Sequence, residues 1–293
     1  MRSYYPVLNA MGLIIMIFGL LMGFPIAISY YLGDGAHIAF DTALLVTFGS
    51  GLSLWLLTRG KRRDLRVPDG FLLVAASWIM LPLFGAIPLL SFIPDLTFTY
   101  AYFEAVSGLT ATGATVLSGL DDLPVSINVW RTFMHWIGGM GVIVLVVAIL
   151  PLLGIGGRQL FKAEVPTPMK ESSLTPRITE TAKGLWITYI LLTVACGVCL
   201  WLAGLSGWDA LIHAFTVAGL GGFSSKEASL GHFNNIQVEM VVIFFALLAA
   251  MNYATHYLAL VRRSPRPYMR DPEIPIFLGV LGVSVLLLTA YLT

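Results

Sequence analysis

The sequence predicts an all-α polytopic membrane protein built from parallel repeats of helix, pore helix, filter loop and helix. Three observations predict it. Of the 293 residues, 57% are hydrophobic and 11% are charged, whereas soluble domains carry about 25% charged residues. Apolar runs of about 20 residues, the length that crosses a bilayer, recur along the chain. Two shorter glycine-bearing inserts, residues 97–115 and 207–224, interrupt this series.

Seven stretches have the length and apolarity of membrane crossings. They are residues 7–31, 41–58, 69–93, 130–153, 184–205, 236–260 and 274–293. The first is predicted to be a retained span, because it is longer than a signal-peptide core and lacks a small-residue cleavage site. The last begins after Asp271 and Pro272, which resemble an N-cap and a first-turn proline.

Each insert is predicted to be a hairpin whose helix enters the membrane and whose loop leaves it on the same side. The helical part holds about 12 or 13 residues, or about 18–20 Å, against a hydrocarbon core of about 30 Å. The inserts align without gaps at an offset of 109 residues, which pairs Gly113 with Gly222. Irregular backbone at membrane depth is tolerated only where it is buried in protein or lines a wet cavity. The repeated insert therefore indicates an ion path.

The distribution of basic residues predicts the orientation. With the N-terminus in the cytoplasm, all but two of the 17 Lys and Arg residues lie inside, at residue 2 and within 59–66, 158–183 and 262–270. The exceptions are Arg131 and Lys226. The positive-inside rule describes this asymmetry, and counting either insert as a full span would scatter the clusters over both sides. Both repeats then start from the cytoplasm and are parallel.

The loops after the short helices carry the candidate ion-binding residues. They are Thr110, Ala111, Thr112 and Gly113 in the first loop, and Gly219, Leu220, Gly221 and Gly222 in the second. Extended backbone offers carbonyl oxygens to a dehydrated cation, and glycine permits the positive φ angles that turn them inward. The carboxyl ends of the short helices add partial negative charge. These features favour a cation, since an anion site would use helix N-termini or basic side chains.

Around these loops the sequence resembles the Trk/Ktr/HKT superfamily of potassium transporters, most closely its TrkH-type bacterial membrane subunits. The resemblance is carried by residues 103–115, 136–141, 148–151 and 221–224. It implies four repeats around one pore, with residues 110–115 and 219–224 as the first two filter segments. The implied divisions are a two-helix extension (1–66), a first pore repeat (67–156), a cytoplasmic linker (157–183), a second pore repeat (184–263) and the incomplete start of a third (264–293).

The resemblance also implies a function: potassium uptake across the bacterial inner membrane by a multi-pass protein, with potassium as substrate, no cofactor and no enzymatic activity. The implied partners are a second copy, membrane lipid and a peripheral cytoplasmic nucleotide-binding regulatory subunit, without nucleic acid. Selectivity for K⁺ over Na⁺ and symport stay open, as do two alternatives, a non-conducting scaffold or assembly subunit and a secondary transporter of another substrate. Having two repeats rather than four, the chain is expected to be the N-terminal part of a longer transporter.

Several polar or small residues have a structural interpretation beside a functional one. Ionisable residues at membrane depth are functional candidates by default, and they are Glu104, Arg131, His135, Glu239 and His256. Glu104 either concentrates cations or fixes its helix by a hydrogen bond, and the second role is favoured. Gly138, Gly139 and Gly141 could line a permeation path, but they are expected to permit close helix packing. Cys196 and Cys199 are expected to be core or bilayer residues, and no spacing predicts a metal site beyond potassium.

Overall fold

A computed structural model describes residues 4–60, 67–141 and 175–292, and the described helices confirm the all-α class. In chain order they are α1 (Tyr5–Leu21), α2 (Gly23–Leu32), α3 (His37–Thr58), α4 (Val67–Gly85), α5 (Ile87–Phe92), α6 (Phe98–Leu109), α7 (Val125–Gly139), α8 (Thr175–Leu202), α9 (Gly207–Ala218), α10 (Ile236–Ala250), α11 (Tyr253–Arg262), α12 (Arg266–Arg270) and α13 (Glu273–Leu292). A 3₁₀ turn spans Ser229–Phe233.

Five of the predicted crossings correspond to helical stretches that are long and apolar enough to cross a membrane. These stretches are Tyr5–Leu32, His37–Thr58, Pro68–Phe92, Lys183–Leu202 and Glu273–Leu292. The first combines α1 and α2, which are separated at Met22, and the third combines α4 and α5, which are separated at Ala86. Pro25 and Pro88 follow these two breaks, and a proline cannot donate the amide bond that would continue the helix.

The predicted crossing at 236–260 is not a single straight helix. Its residues form two helices, α10 and α11, which meet at 94°. Met251 is extended, and the Asn252 side chain accepts a hydrogen bond of 2.9 Å from the amide of Ala254, which caps α11. Across the bend, Nε2 of His256 lies 2.8 Å from the carbonyl oxygen of Leu248. These polar contacts allow an apolar run to turn instead of continuing.

Two other predicted boundaries shift. The crossing predicted at 130–153 begins at Val125, directly after Pro124, and its helix α7 ends at Gly139. The rest of that prediction, from residue 142, lies outside the described residues. The linker predicted at 157–183 lies outside them as far as residue 174, and from Thr175 onward the chain is already helix α8. The last part of the predicted linker is therefore regular helix.

Helix α7 forms the centre against which both short helices pack. The residues from Ser126 to His135 along it are buried. At its start, Asp34 accepts hydrogen bonds from the amides of Ser126 (3.1 Å) and Ala36 (3.2 Å) and from the hydroxyl of Ser29. Partial burial raises the pKa of Asp34, but these hydrogen bonds outweigh it and hold the pKa below its ordinary value. A carboxylate at a helix N-terminus also complements the helix dipole.

The far end of α7 touches the last residue of α6 and the loop that follows α9 through glycine. A Cβ atom built on Gly138 would lie 1.8 Å from the carbonyl oxygen of Leu109, and one on Gly139 would lie 2.6 Å from Cα of Gly219. Real Cβ atoms do not approach this closely. The expectation that Gly138 and Gly139 permit close packing is therefore confirmed.

Candidate functional site

The two short helices are built alike. Helix α6 and helix α9 each have 12 residues, about 18 Å in length, and their bounds differ by the same 109 positions as the sequence repeat. Each begins with a hydroxyl cap, since Thr97 accepts from the amide of Tyr100 (3.4 Å) and Ser206 from that of Asp209 (3.1 Å). The prediction of helices too short to cross is confirmed in both inserts.

Both helices end in the same hydrogen-bonded turn. In the first, the amide of Thr112 donates to the carbonyl of Ser107 at 2.9 Å, and the amide of Ala111 donates to that of Gly108 at 3.1 Å. In the second, the same two bonds recur 109 residues later with the same lengths, from Gly221 to Thr216 and from Leu220 to Val217. This pair of bonds is a Schellman motif, which requires a left-handed residue just past the helix.

The left-handed residues alternate along each loop. Ala111 and Leu220 have φ of 52° and 54°, and two residues later Gly113 and Gly222 have φ of 77° and 90°. Glycine adopts such angles freely, whereas in an L-residue they cost about 1–2 kcal/mol. The sequence predicts positive φ angles at glycine, whereas those of Ala111 and Leu220 were not predicted.

The two loops lie side by side. A Cβ atom built on Gly113 would lie 1.9 Å from the carbonyl oxygen of Gly221 and 3.6 Å from Cα of Gly222. Gly113 and Gly222, which the 109-residue repeat pairs, therefore lie close together. Among the described residues, no heavy atom lies within 4 Å of a Cβ atom built on Gly222, so there the second loop is open on the side where the first is covered.

The candidate residues divide by exposure. Thr110, Thr112, Leu220 and Gly222 are exposed, Ala111 and Gly113 are half-buried, and Gly219 and Gly221 are buried. The two threonine hydroxyls lie 2.7 Å apart. Phe223 and Ser224, which belong to the predicted segment 219–224, both have buried side chains. His135 stacks on Phe223 with ring centres 4.1 Å apart.

One side chain of each short helix holds the loop that follows it. Both carboxylate oxygens of Glu104 accept from the hydroxyl of Thr115 at 3.0 Å, and one also accepts from the amide of Val116 at 3.2 Å. In the second repeat, Nε2 of His213 lies 3.0 Å from Oγ of Ser224. Glu104 is fully buried, which confirms its favoured structural role. The 109-residue offset pairs Glu104 with His213 and Thr115 with Ser224, but the different residue types concealed this equivalence.

The chain segments that leave the two loops are joined on their outer side. Glu227 accepts from the amides of Gly119 and Leu120, the latter at 3.2 Å, and its own amide donates to Asp121 at 3.1 Å. Lys226 lies 3.4 Å from Asp121. The hydrogen bond from the amide of Glu227, together with Lys226, holds the pKa of Asp121 below its ordinary value. Among the described residues, no three His, Cys, Asp or Glu side chains are grouped as metal ligands.

Known proteins resemble this chain over most of its length. A family model described as TrkH, cation transport protein, matches residues 35–291. The Trk system potassium uptake protein TrkH of Escherichia coli K12 is 43% identical over 290 residues, 99% of this chain and 60% of the relative. The protein of that name from Halomonas elongata is 46% identical over 272 residues, 92% of this chain and 56% of the relative.

A solved structure is also similar to this chain. The crystal structure of the potassium transporter TrkH from Vibrio parahaemolyticus matches with a TM-score of 0.82 and 38% identity, covering 96% of this chain and 57% of that chain. The chain spans about 60% of the length of the curated relatives it matches. The family match includes both short helices and both loops. The chain therefore belongs to the TrkH family of cation transport proteins.

Proposed function

We propose that this chain forms part of a pore for potassium uptake across the bacterial inner membrane. The backbone carbonyls of Thr110 to Gly113 and of Gly219 to Gly222 line its filter. The observation that carries this proposal is the contact between the two equivalent loops at Gly113 and Gly221. The relatives named as potassium uptake proteins support potassium as the substrate.

The backbone of each loop suits a dehydrated cation. Left-handed φ angles at every second residue alternate with negative ones at Thr112 and Gly221, which lets successive carbonyl oxygens face one side. Carbonyl oxygens replace the hydration shell of K⁺ in this kind of filter. The carboxyl ends of α6 and α9 lead into the loops, and their partial negative charge stabilises a cation there. None of the eight loop residues is charged, so selectivity depends on the backbone.

Two loops provide only half of a four-part ring. The other two loops come from a second copy or from residues beyond this sequence. We divide the chain as the resemblance implies, with pore repeats at 67–156 and 184–263 in a multi-pass protein whose N-terminus is cytoplasmic. A homodimer surrounded by lipid, with a cytoplasmic nucleotide-binding regulatory subunit, completes the proposed assembly. The protein acts as a transporter rather than an enzyme.

The test compares two preparations in liposomes. One contains the protein as its gene encodes it, and the other contains residues 1–293 alone. We expect potassium-selective uptake from the encoded assembly, with sodium uptake as the control. Residues 1–293 alone are expected to lack selective uptake unless a second copy supplies the other two loops, because one copy offers two carbonyls per layer where K⁺ needs a ring of four.

Each outcome separates the alternatives. Folded encoded protein that moves neither ion would favour the scaffold interpretation and would refute the proposal. Uptake of another substrate without potassium would favour the secondary transporter. Selective uptake by residues 1–293 alone would show that copies of this chain complete the ring between themselves.

A further inference from the structure

Arg131 lies on α7 behind both loops and is fully buried. Its Nη2 lies 2.7 Å from Oε1 of Glu104, and its Nε donates to the same oxygen at 2.8 Å, with neither side chain exposed to solvent. Moving two charges out of water is costly, and well-packed apolar residues in place of such a pair are often as stable. Stability alone is therefore a weak reason for this ion pair.

The guanidinium of Arg131 also contacts residues other than Glu104. Its Nη1 donates to Oδ1 of Asn128 at 3.0 Å and to the carbonyl oxygen of Ser224 at 3.1 Å. Its Nη2 donates to the hydroxyl of Thr115 at 3.2 Å. The guanidinium carbon also lies 4.5 Å from the centre of the Phe223 ring, a favourable cation–π distance. These contacts use the donor capacity of a planar, five-donor group.

The partners of Arg131 belong to two different loops. Thr115 follows the first loop and is also held by Glu104, whereas Ser224 and Phe223 follow the second loop. We propose that Arg131 is a positioning residue for the ion filter, because its guanidinium ties the first loop, through Glu104 and Thr115, to the carbonyl of Ser224 in the second. This inference rests on the proposed filter and assigns the residue that sets the spacing between its loops.

In the part of the chain that the structure describes, the second repeat has no equivalent of this arginine. Within the second repeat, His213 holds Ser224 without an ion pair. The residue that corresponds to Arg131 at the 109-residue offset is Met240, whose side chain is 58% exposed. Each loop thus has its own support from its short helix, and Arg131 adds the connection from one loop to the other.

The residues that Arg131 joins lie close in sequence to the contact between the two loops. Gly113 and Gly221 touch two to three residues before Thr115 and Ser224, so a shift between the latter displaces the carbonyls of the former. A filter that replaces a hydration shell depends on such positions. Lys226 and Asp121 also join the two loops, but their side chains are 22% and 36% exposed. Exposed pairs of this kind contribute about 0–1 kcal/mol, so they provide a matched control.

The experiment measures the ratio of K⁺ to Na⁺ uptake in liposomes that contain the protein as its gene encodes it. Arg131→Lys keeps the charge opposite Glu104 but replaces the planar fork by a single ammonium group. The double variant Arg131→Met with Glu104→Gln removes both charges and keeps an acceptor for Thr115 and Val116. Lys226→Met is the control for an ion pair at the outer rim. Size-exclusion profiles and thermal melting establish that each variant is folded.

We expect the K⁺ to Na⁺ uptake ratio to fall by at least about tenfold in both Arg131 variants. In enzymes, which also depend on exact positions, misplacing a group by about 1 Å can lower the rate about 100-fold. Lys226→Met should keep the wild-type ratio. A wild-type ratio in folded Arg131→Lys overturns the inference, and so does failure of both Arg131 variants to fold while Lys226→Met folds. Gly113→Ala, measured alongside, separates the two proposals: if it changes the ratio and the Arg131 variants do not, the filter proposal stands and the positioning role fails.

Discussion

Gly113→Ala and Gly222→Ala form a matched pair that tests the contact between the loops. Both glycines have left-handed φ angles, 77° and 90°, so alanine at either position costs about 1–2 kcal/mol in backbone strain. Only at Gly113 does the new methyl group also meet another loop. It would lie 1.9 Å from the carbonyl oxygen of Gly221, whereas none of the residues that the structure describes comes within 4 Å of a methyl group at Gly222.

The difference between the variants therefore reports the contact alone. To relieve the overlap at Gly113, the loops must separate by about 1 Å, and forcing an extra methyl group into a packed region typically costs about 1–3 kcal/mol. We expect residues 1–293 to lose about 1–3 kcal/mol more stability from Gly113→Ala than from Gly222→Ala. The sum of strain and overlap at Gly113 is then about 2–5 kcal/mol.

Thermal unfolding in detergent, followed by circular dichroism at one scan rate, measures the difference as a shift in the unfolding midpoint. Ala111→Gly is the control, because it removes a side chain at a left-handed position and should leave the midpoint near that of the wild type. Equal losses in Gly113→Ala and Gly222→Ala would refute the direct loop contact. A larger loss in Gly222→Ala would refute it more strongly.

Three further substitutions have expected outcomes. Asn252→Ala removes the cap of α11 and should destabilise the protein by about 1 kcal/mol, seen as a lower unfolding midpoint; an unchanged midpoint would contradict the capping role. Asp34→Asn should lower the unfolding midpoint at pH 7 and lower it much less at pH 3. A depressed carboxyl pKa stabilises the fold above about pH 4, and this contribution is lost as the pH falls through the folded-state pKa. An equal loss at both pH values would contradict this role of Asp34. His213→Leu should cost about 1–3 kcal/mol, because the buried Ser224 hydroxyl loses a partner; a double-mutant cycle with Ser224→Ala should show coupling, and strict additivity would contradict the contact.

The short helices were predictable because their ends are encoded locally. Thr97 and Ser206 cap them with side-chain hydroxyls, and the repeat places both caps at equivalent positions. The left-handed angles of Ala111 and Leu220 were not predictable, since alanine and leucine disfavour them in isolation. Those angles follow from the Schellman bonds and from packing against α7, which a composition-based argument does not include.

The bend at Met251 and Asn252 was missed for a related reason. Residues 236–260 form one continuous apolar run by hydropathy, so length alone predicted a crossing. The turn depends on a cap by Asn252 and on the contact between His256 and Leu248, two residues eight positions apart. Arg131 is a functional candidate by sequence, but its contacts were not predictable, because its partners outside α7 come from three separate stretches of the chain.

The geometry of one loop contact also predicts where the next loop belongs. In a ring of equivalent loops each one meets its neighbour in the same head-to-tail way, as Gly113 meets Gly221. Gly222 corresponds to Gly113 in the repeat, and the space beside it is open. We therefore expect a third loop to place a backbone oxygen beside Gly222 in the assembled pore. In the assembled pore, Gly222→Ala should lower the K⁺ to Na⁺ uptake ratio as much as Gly113→Ala does, although in residues 1–293 alone Gly222→Ala costs less stability. A wild-type ratio in folded Gly222→Ala would show that the ring does not continue in this direction.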